Sequence, residues 1–223
     1  GKYATANITG TIKILNQMLA CGVQNIIFSS TAAVYGIPEY LPVDENHPLN
    51  PVNFYGFTKL EIERLLYWYS ELKGIRFAAL RYFNAAGYDP KGRIRGLEQN
   101  PANLLPIVME TAMGNRKEVL IFGDDYNTAD GTGIRDYIHV SDLASAHLKA
   151  MDYLQQKKEN LIMNLATGEG FSVLDIINHA KVVADTDISF KIVERRLGDL
   201  EKLVAVSKLA QKMIDWECKY SNI

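Results

Sequence analysis

The sequence is poor in the residue types that most often announce a special site. Its 223 residues include two cysteines, Cys21 and Cys218. They are too far apart in sequence to suggest a disulfide framework or a thiolate metal knuckle, and such sparing use fits a reducing compartment. The four histidines do not cluster: His139 and His147 stand eight apart, which is not a metal-ligand spacing. No metal is expected. A surplus of one charge is also missing, since 24 Lys and Arg against 26 Asp and Glu leave a formal net charge of -2. Without a basic excess there is little to neutralise a phosphate backbone, so nucleic acid is not an expected partner. No apolar run approaches the roughly twenty residues needed to cross a bilayer, and no signal peptide opens the chain. No membrane partner is expected, and the expected location is cytoplasmic.

What is present is an alternation of helical and strand-like segments in a chain long enough to bury a sizeable core. Residues 3 to 20 place Ile8, Ile12, Leu15 and Leu19 at helical spacing, and Gly22 ends that helix. A buried strand follows at Asn25 to Ser29, then a proline-rich loop from Ile37 to Pro51. A helix from Tyr55 to about Leu72 carries one apolar stripe of Ile62, Leu65, Leu66, Tyr69 and Leu72, with Leu60 and Tyr67 on the opposite side. Arg76 to Phe83 reads as the next buried, parallel strand. From 85 to 134 the pattern loosens: Gly87, Pro90, Gly92 and Gly96 make a loop, Ala102 to Gly114 a helix, and Val119 to Phe122 a short strand. Further on come a strand at Ile134 to Val140, a helix capped by Ser141, a strand at Ile162 to Leu165, a capped helix at Ser172 to Ala184 and a strand at Ser189 to Val193. Such alternation predicts an α/β fold with a parallel sheet.

One pair of residues stands out. Tyr55 and Lys59 lie four apart on one helix face, where an ammonium can favour the phenolate and make the tyrosine a usable base. The same spacing recurs at Tyr69 and Lys73 and at Tyr153 and Lys157. Only Tyr55 has, upstream, a strand ending in the hydroxyls of Ser29, Ser30 and Thr31, the end of an open α/β sheet where ligands bind.

Five blocks then carry a resemblance over nearly the whole chain. They are Ser29-Ser30-Thr31-Ala32-Ala33-Val34-Tyr35-Gly36, Tyr55-Gly56-Phe57-Thr58-Lys59, Arg81-Tyr82-Phe83-Asn84-Ala85-Ala86-Gly87, the run from Asp130 to Val140, and Arg195-Arg196-Leu197-Gly198-Asp199. In this order and spacing the sequence resembles the UDP-glucose 4-epimerase family of the extended short-chain dehydrogenases/reductases. The resemblance implies a Rossmann-like parallel sheet, lacking its first strand-helix units, with a smaller α/β substrate-binding domain. Residues 1–84 would be the later part of the NAD-binding domain, with 138–166 packing back onto it. Residues 85–223 would be an interrupted, C-terminally short UDP-sugar-binding domain.

The same resemblance implies NAD as cofactor, a UDP-sugar as substrate and a homodimer built by the Tyr55 helix and the helix at 3–20. Tyr55, Lys59 and Thr31 would be catalytic, and with Asn7 and Phe83 they would touch the cofactor. Asn84, Asn103, Leu104, Leu120, Phe122, Arg135, Tyr137, Val173, Arg196 and Asp199 would hold the UDP-sugar, with Leu203 beside the sugar's 2-substituent. The implied reaction interconverts UDP-galactose and UDP-glucose by transient oxidation at C4. Alternatives are a 4-epimerase of another UDP-sugar or a non-catalytic fragment. Dehydratase relatives carry an Asp-Glu pair where this chain has Ala32-Ala33, and methyl groups move no protons. The family's glycine-rich turn would precede Gly1, within a segment on the order of ninety residues of strand-helix units that activity requires.

Overall fold

The computed structural model describes residues 1, 3–94, 100–196 and 198–220. Gly96 of the expected loop and Leu197 of the last sequence block lie outside the described residues.

Three parallel strands make the central sheet in the order β1 (Asn25–Thr31), β2 (Arg76–Tyr82), β7 (Leu161–Leu165). Their apolar residues alternate between the two faces, as the period of two demands. Phe77 and Ala79 of β2, with Ile26 and Phe28 of β1, face Leu15 of helix α1 (Gly10–Ala20) and Ile62 and Leu66 of α2 (Phe54–Lys73). Ala78 and Leu80, with Met163 and Leu165, face the other way onto Leu143, Ala146 and Leu154 of α4 (Val140–Lys157). The result is the helix–sheet–helix layering of a Rossmann-like domain. Helix α6 (Lys208–Ile214) and Trp216, which the sequence grouped with the second domain, pack against this layer instead. The Trp216 indole donates to the Asp142 carbonyl and to Ser145 Oγ.

Helix α2 has clear ends. Asn53 Oδ1 accepts from the Gly56 amide at 2.8 Å, and Gly74 closes the helix at φ 71°, a left-handed conformation that glycine adopts without a Cβ penalty. The expected apolar faces need correction at two positions. Leu72 is 70 % exposed in the last turn of the helix, whereas Leu60 is buried against Val34, Tyr35, Val43 and Ala205. Leu60 is therefore unavailable to a partner chain. At the front of the chain, Ala4–Thr9 forms a π-helical segment that runs into α1. Its wider turn carries Asn7, whose amide donates to Thr58 Oγ1 of α2 at 2.9 Å.

The expected single strand at Ile134 to Val140 is two strands: β5 (Ile134–Arg135) and β6 (Tyr137–His139) join different sheets. Between them Asp136 is fully buried, and its carboxylate accepts from the Thr167 amide and hydroxyl, both at 2.9 Å, and from the Gly168 amide at 3.1 Å. Turning that side chain inward breaks the run. Ser141 is not the cap of α4; His139 is, its Nδ1 accepting from the Ser141 amide. The second lobe has a core of Val108, Val119, Ile121, Tyr137, Ile176 and Ile177. It joins α3 (Leu104–Ala112) and α5 (Val173–Ala184) to the parallel pair β4 (Val119–Phe122) and β9 (Phe190–Val193). Short strands complete it: β3 (Asn84–Ala86) pairs with β6, and β5 lies between β8 (Phe171–Ser172) and β10 (Lys202–Leu203). The expected cap at Ser172 is present as a reciprocal capping box with Asp175.

Candidate active site

Two cavities open where the carboxyl ends of β1 and β2 meet the second lobe. The larger, about 240 Å³, is lined by ten of the eleven residues that the sequence assigned to the UDP-sugar, all but Leu203: Asn84, Asn103, Leu104, Leu120, Phe122, Arg135, Tyr137, Val173, Arg196 and Asp199. They come from six elements and the loops between them, so only the fold brings them together. The smaller, about 180 Å³, is lined by Thr31, Phe83 and Leu203 among others. Asn84, Arg135 and Asp199 line both, which makes the two cavities neighbours across a shared wall. Tyr126, Ile107 and Gly133 also line the larger cavity and were missed in the sequence. For Tyr126 the available signal was an aromatic residue set in an otherwise polar, turn-rich stretch.

The electrostatics of the larger cavity suit an anion. Arg135 is largely buried, and burial pulls its pKa down while the Asp199 carboxylate works against that loss. Among the described residues its one protein hydrogen bond goes from Nη1 to the Ile134 carbonyl at 2.8 Å, which leaves most of the guanidinium fork to the cavity. Tyr137 is also buried; its phenol is pushed up to about 12, chiefly by burial, with Arg135 and a hydrogen bond to Asn84 opposing the rise. It therefore stays a donor and is no base at neutral pH. Arg196 sits 4.2 Å over the Phe122 ring and pairs with Asp199 at 2.9 Å, a more exposed and screened arrangement.

The tyrosine-lysine pair lines neither cavity and adjoins the smaller one through Thr31. Lys59 Nζ donates to the Ser29 carbonyl at 2.9 Å and stands 5.7 Å from the Tyr55 ring centroid. The Tyr55 phenol lies close to the Thr31 hydroxyl, whose Oγ1 accepts from the Ala33 amide at 3.2 Å. The sequence led us to expect a lowered Tyr55 pKa. In the structure it is raised, because burial outweighs the lowering influence of Thr31, while the Lys59 pKa is lowered by its own burial. The ammonium spends its short contact on a strand carbonyl rather than on the phenol. Helix α2 approaches the Thr31 turn closely: a Cβ at Gly56 would stand 2.4 Å from the Ala33 carbonyl oxygen. Both competing tyrosines are structural. Tyr69 donates to Asn16 Oδ1 and so ties α1 to α2, and Tyr153 donates to Glu159.

Against NAD the match is local. An ammonium, a phenol and hydroxyls gathered at the carboxyl ends of β1 and β2 fit the ribose and nicotinamide end. The sequence contains no Gly-x-Gly-x-x-Gly, so these residues do not supply the usual pyrophosphate turn. Asn7 reaches Thr58, in the turn that follows Tyr55, and touches neither cavity.

A Rossmann-like sheet with this helix at its carboxyl ends matches the family model described as NAD dependent epimerase/dehydratase family over residues 1–166, and the chain belongs to that family. Among curated proteins it is 46 % identical to the UDP-glucose 4-epimerase of Halalkalibacterium halodurans, over 100 % of this chain and 66 % of the relative. Two solved structures superpose closely. UDP-glucose 4-epimerase from Brucella ovis in complex with NAD is 40 % identical, with a TM-score of 0.95 over 99 % of this chain and 68 % of that one. The enzyme from Bifidobacterium longum in complex with NAD+ and UDP is 39 % identical, with a TM-score of 0.90 over 98 % and 66 %. The chain thus spans about two thirds of the length of the relatives it matches.

Proposed function

We propose that this chain forms the catalytic and sugar-nucleotide-binding part of a UDP-glucose 4-epimerase, which interconverts UDP-galactose and UDP-glucose with NAD held in the site. The observation that carries this reading is the wall shared by the two cavities: the arginine suited to a pyrophosphate, Arg135, lines both the larger cavity and the one that holds Thr31.

Inverting C4 of the sugar requires that carbon to become planar, because it bears no acidic hydrogen. Tyr55 Oη takes the 4-hydroxyl proton and later returns it, and Thr31 Oγ1, close to the phenol, holds the hydroxyl in line. Lys59 fixes the end of β1 through the Ser29 carbonyl and keeps a positive charge near the phenol. When bound, NAD would supply the hydride acceptor and donor, beside Thr31, Tyr55 and Lys59. Loss of a hydride from C4 and a proton from O4 gives a ketone. Return of both, the hydride to the opposite face, inverts the centre with no net consumption. Ala32 and Ala33 line the smaller cavity and offer no side-chain acid or base for dehydration.

The domain division that goes with this reading puts the sheet and its helices on the cofactor side and residues around the larger cavity on the UDP side. A homodimer would use Ile14, Tyr67, Trp68 and Leu72, all exposed on α1 and α2. No described helix is long and apolar enough to cross a membrane, and a cytoplasmic place accords with the exchange of free nucleotide sugars. The test uses the chain extended by the upstream segment of its own gene: it should convert UDP-galactose to UDP-glucose with NAD and sediment as a dimer at micromolar concentration. Binding of both NAD and UDP without any conversion would overturn the catalytic reading.

A further inference from the structure

Three consecutive residues at the end of β1 are each tied to α2, and the ties fall four residues apart along the helix. Tyr55 meets Thr31, Lys59 Nζ donates to the Ser29 carbonyl, and Glu63 Oε1 accepts from Ser30 Oγ at 2.5 Å. Positions 55, 59 and 63 share one helix face. The third tie is the only one wholly inside the protein: Glu63 is 3 % and Ser30 is 1 % exposed.

Glu63 does not stand alone. Arg81 of β2 grips it with two hydrogen bonds, Nε to Oε1 at 3.0 Å and Nη2 to Oε2 at 2.6 Å, and Arg81 Nη1 donates to the Tyr35 hydroxyl at 3.1 Å. Tyr35 in turn donates to Asn164 Oδ1 of β7 at 2.6 Å. The fork leaves the carboxylate one geometry, because both oxygens are claimed by a planar guanidinium. Rotation or sliding of α2 along the sheet would separate Glu63 from Arg81 and Ser30 together.

Resting on the epimerase reading above, we propose that Glu63 is a positioning residue, which together with Arg81 and Ser30 holds α2 in the register that keeps Tyr55 at Thr31 and Lys59 at Ser29. It touches neither substrate nor cofactor. Its work is to keep the phenol, the ammonium and the threonine hydroxyl at fixed separations, where a displacement of about 1 Å can cost on the order of a hundredfold in rate.

The test compares Ser30→Ala and Glu63→Gln in the completed enzyme. Ser30→Ala removes one hydroxyl and leaves the ion pair intact, so it decides the matter even if Glu63→Gln fails to fold. The expected result for Ser30→Ala is a kcat lowered about tenfold with KM for UDP-galactose within about twofold, since the larger cavity is untouched. In addition, the rising limb of the kcat-pH profile should move to higher pH, because a misplaced Lys59 favours the phenolate less. A structural role alone would lower Tm without moving that limb. Unchanged kcat and an unmoved limb in Ser30→Ala would overturn the proposal, provided Tyr55→Phe is inactive in the same assay. Full activity in Tyr55→Phe would instead overturn the catalytic reading on which the proposal rests.

Discussion

The two walls of the site hold their polar groups in opposite ways. On the sheet side, polar side chains are buried and paired: Glu63, Arg81 and Asn164 are almost without exposure, and each has its partners inside the protein. On the UDP side, Arg196 and the neighbouring Arg195 lie over the rings of Phe122 and Tyr126, with carboxylates beside them and solvent around them. The first arrangement is stiff, and leaving any one of its groups unpaired is costly. The second adjusts readily, because exposed pairs contribute little and can re-form around a ligand. On the proposed reading, groups that must meet within tenths of an ångström stand on the stiff wall, and groups that would recognise a flexible pyrophosphate stand on the adaptable one.

That contrast can be broken from its strong end first. Arg81→Met strands the buried Glu63 carboxylate and should destabilise the completed protein by about 3 to 5 kcal/mol, read from the urea midpoint. Tyr55→Phe should leave stability nearly unchanged while lowering turnover at least about a hundredfold, the scale of a lost general base. A turnover close to normal in that variant, with Tyr69→Phe inactive, would move the chemistry to another tyrosine. On the adaptable wall the buried member matters most. Arg135→Met should weaken UDP binding by about 2 kcal/mol, measured by calorimetry, with the ultraviolet and fluorescence signals of the fold intact.

Smaller effects sharpen the comparison. Leu203 is buried in the lining of the smaller cavity, and the sequence places it beside the sugar's 2-substituent. Leucine leaves more room there than a tyrosine would, so a slower N-acetyl activity is expected here. Leu203→Tyr should raise the preference for the unacetylated sugar by about 1 kcal/mol or more; an unchanged ratio of kcat/KM removes Leu203 from the specificity argument. Arg196→Ala, by contrast, loses an exposed pair and should change UDP binding by less than about 1 kcal/mol. A loss as large as that for Arg135 would erase the distinction between buried and exposed cations on this wall.

Much of the layering was legible because burial imposes a period. The apolar runs of β1 and β2 and the stripe of Ile62, Leu65, Leu66 and Tyr69 could be read from the residues themselves, whereas the larger cavity was legible through resemblance to a family, since its ten residues are scattered between 84 and 199. What stayed hidden depends on which elements become neighbours. Glu63 and Arg81 look like two ordinary charges eighteen residues apart until α2 lies on β2. Leu60 looked free until the turn after Thr31 and the segment at Ala205 covered it. The strand at 134–140 read as continuous because nothing local says that Asp136 turns inward to meet Thr167. The Tyr55 pKa reversed for a similar reason: burial is a tertiary quantity, and the spacing of Tyr55 and Lys59 carries no information about it.

Strand β1 has β2 on one side and, among the described residues, no strand on the other. In a strand of this kind successive amides point to alternate sides, so half of them are locked in the ladder and half face outward. Deuterium should therefore enter β1 of this chain in a one-on, one-off rhythm, while β2, flanked by β1 and β7, takes it up slowly throughout. The outward row is also a template on which any extended backbone can lie down. Whatever strand covers it decides whether the proposed catalytic residues at its end sit in a closed sheet or at the seam of an aggregate.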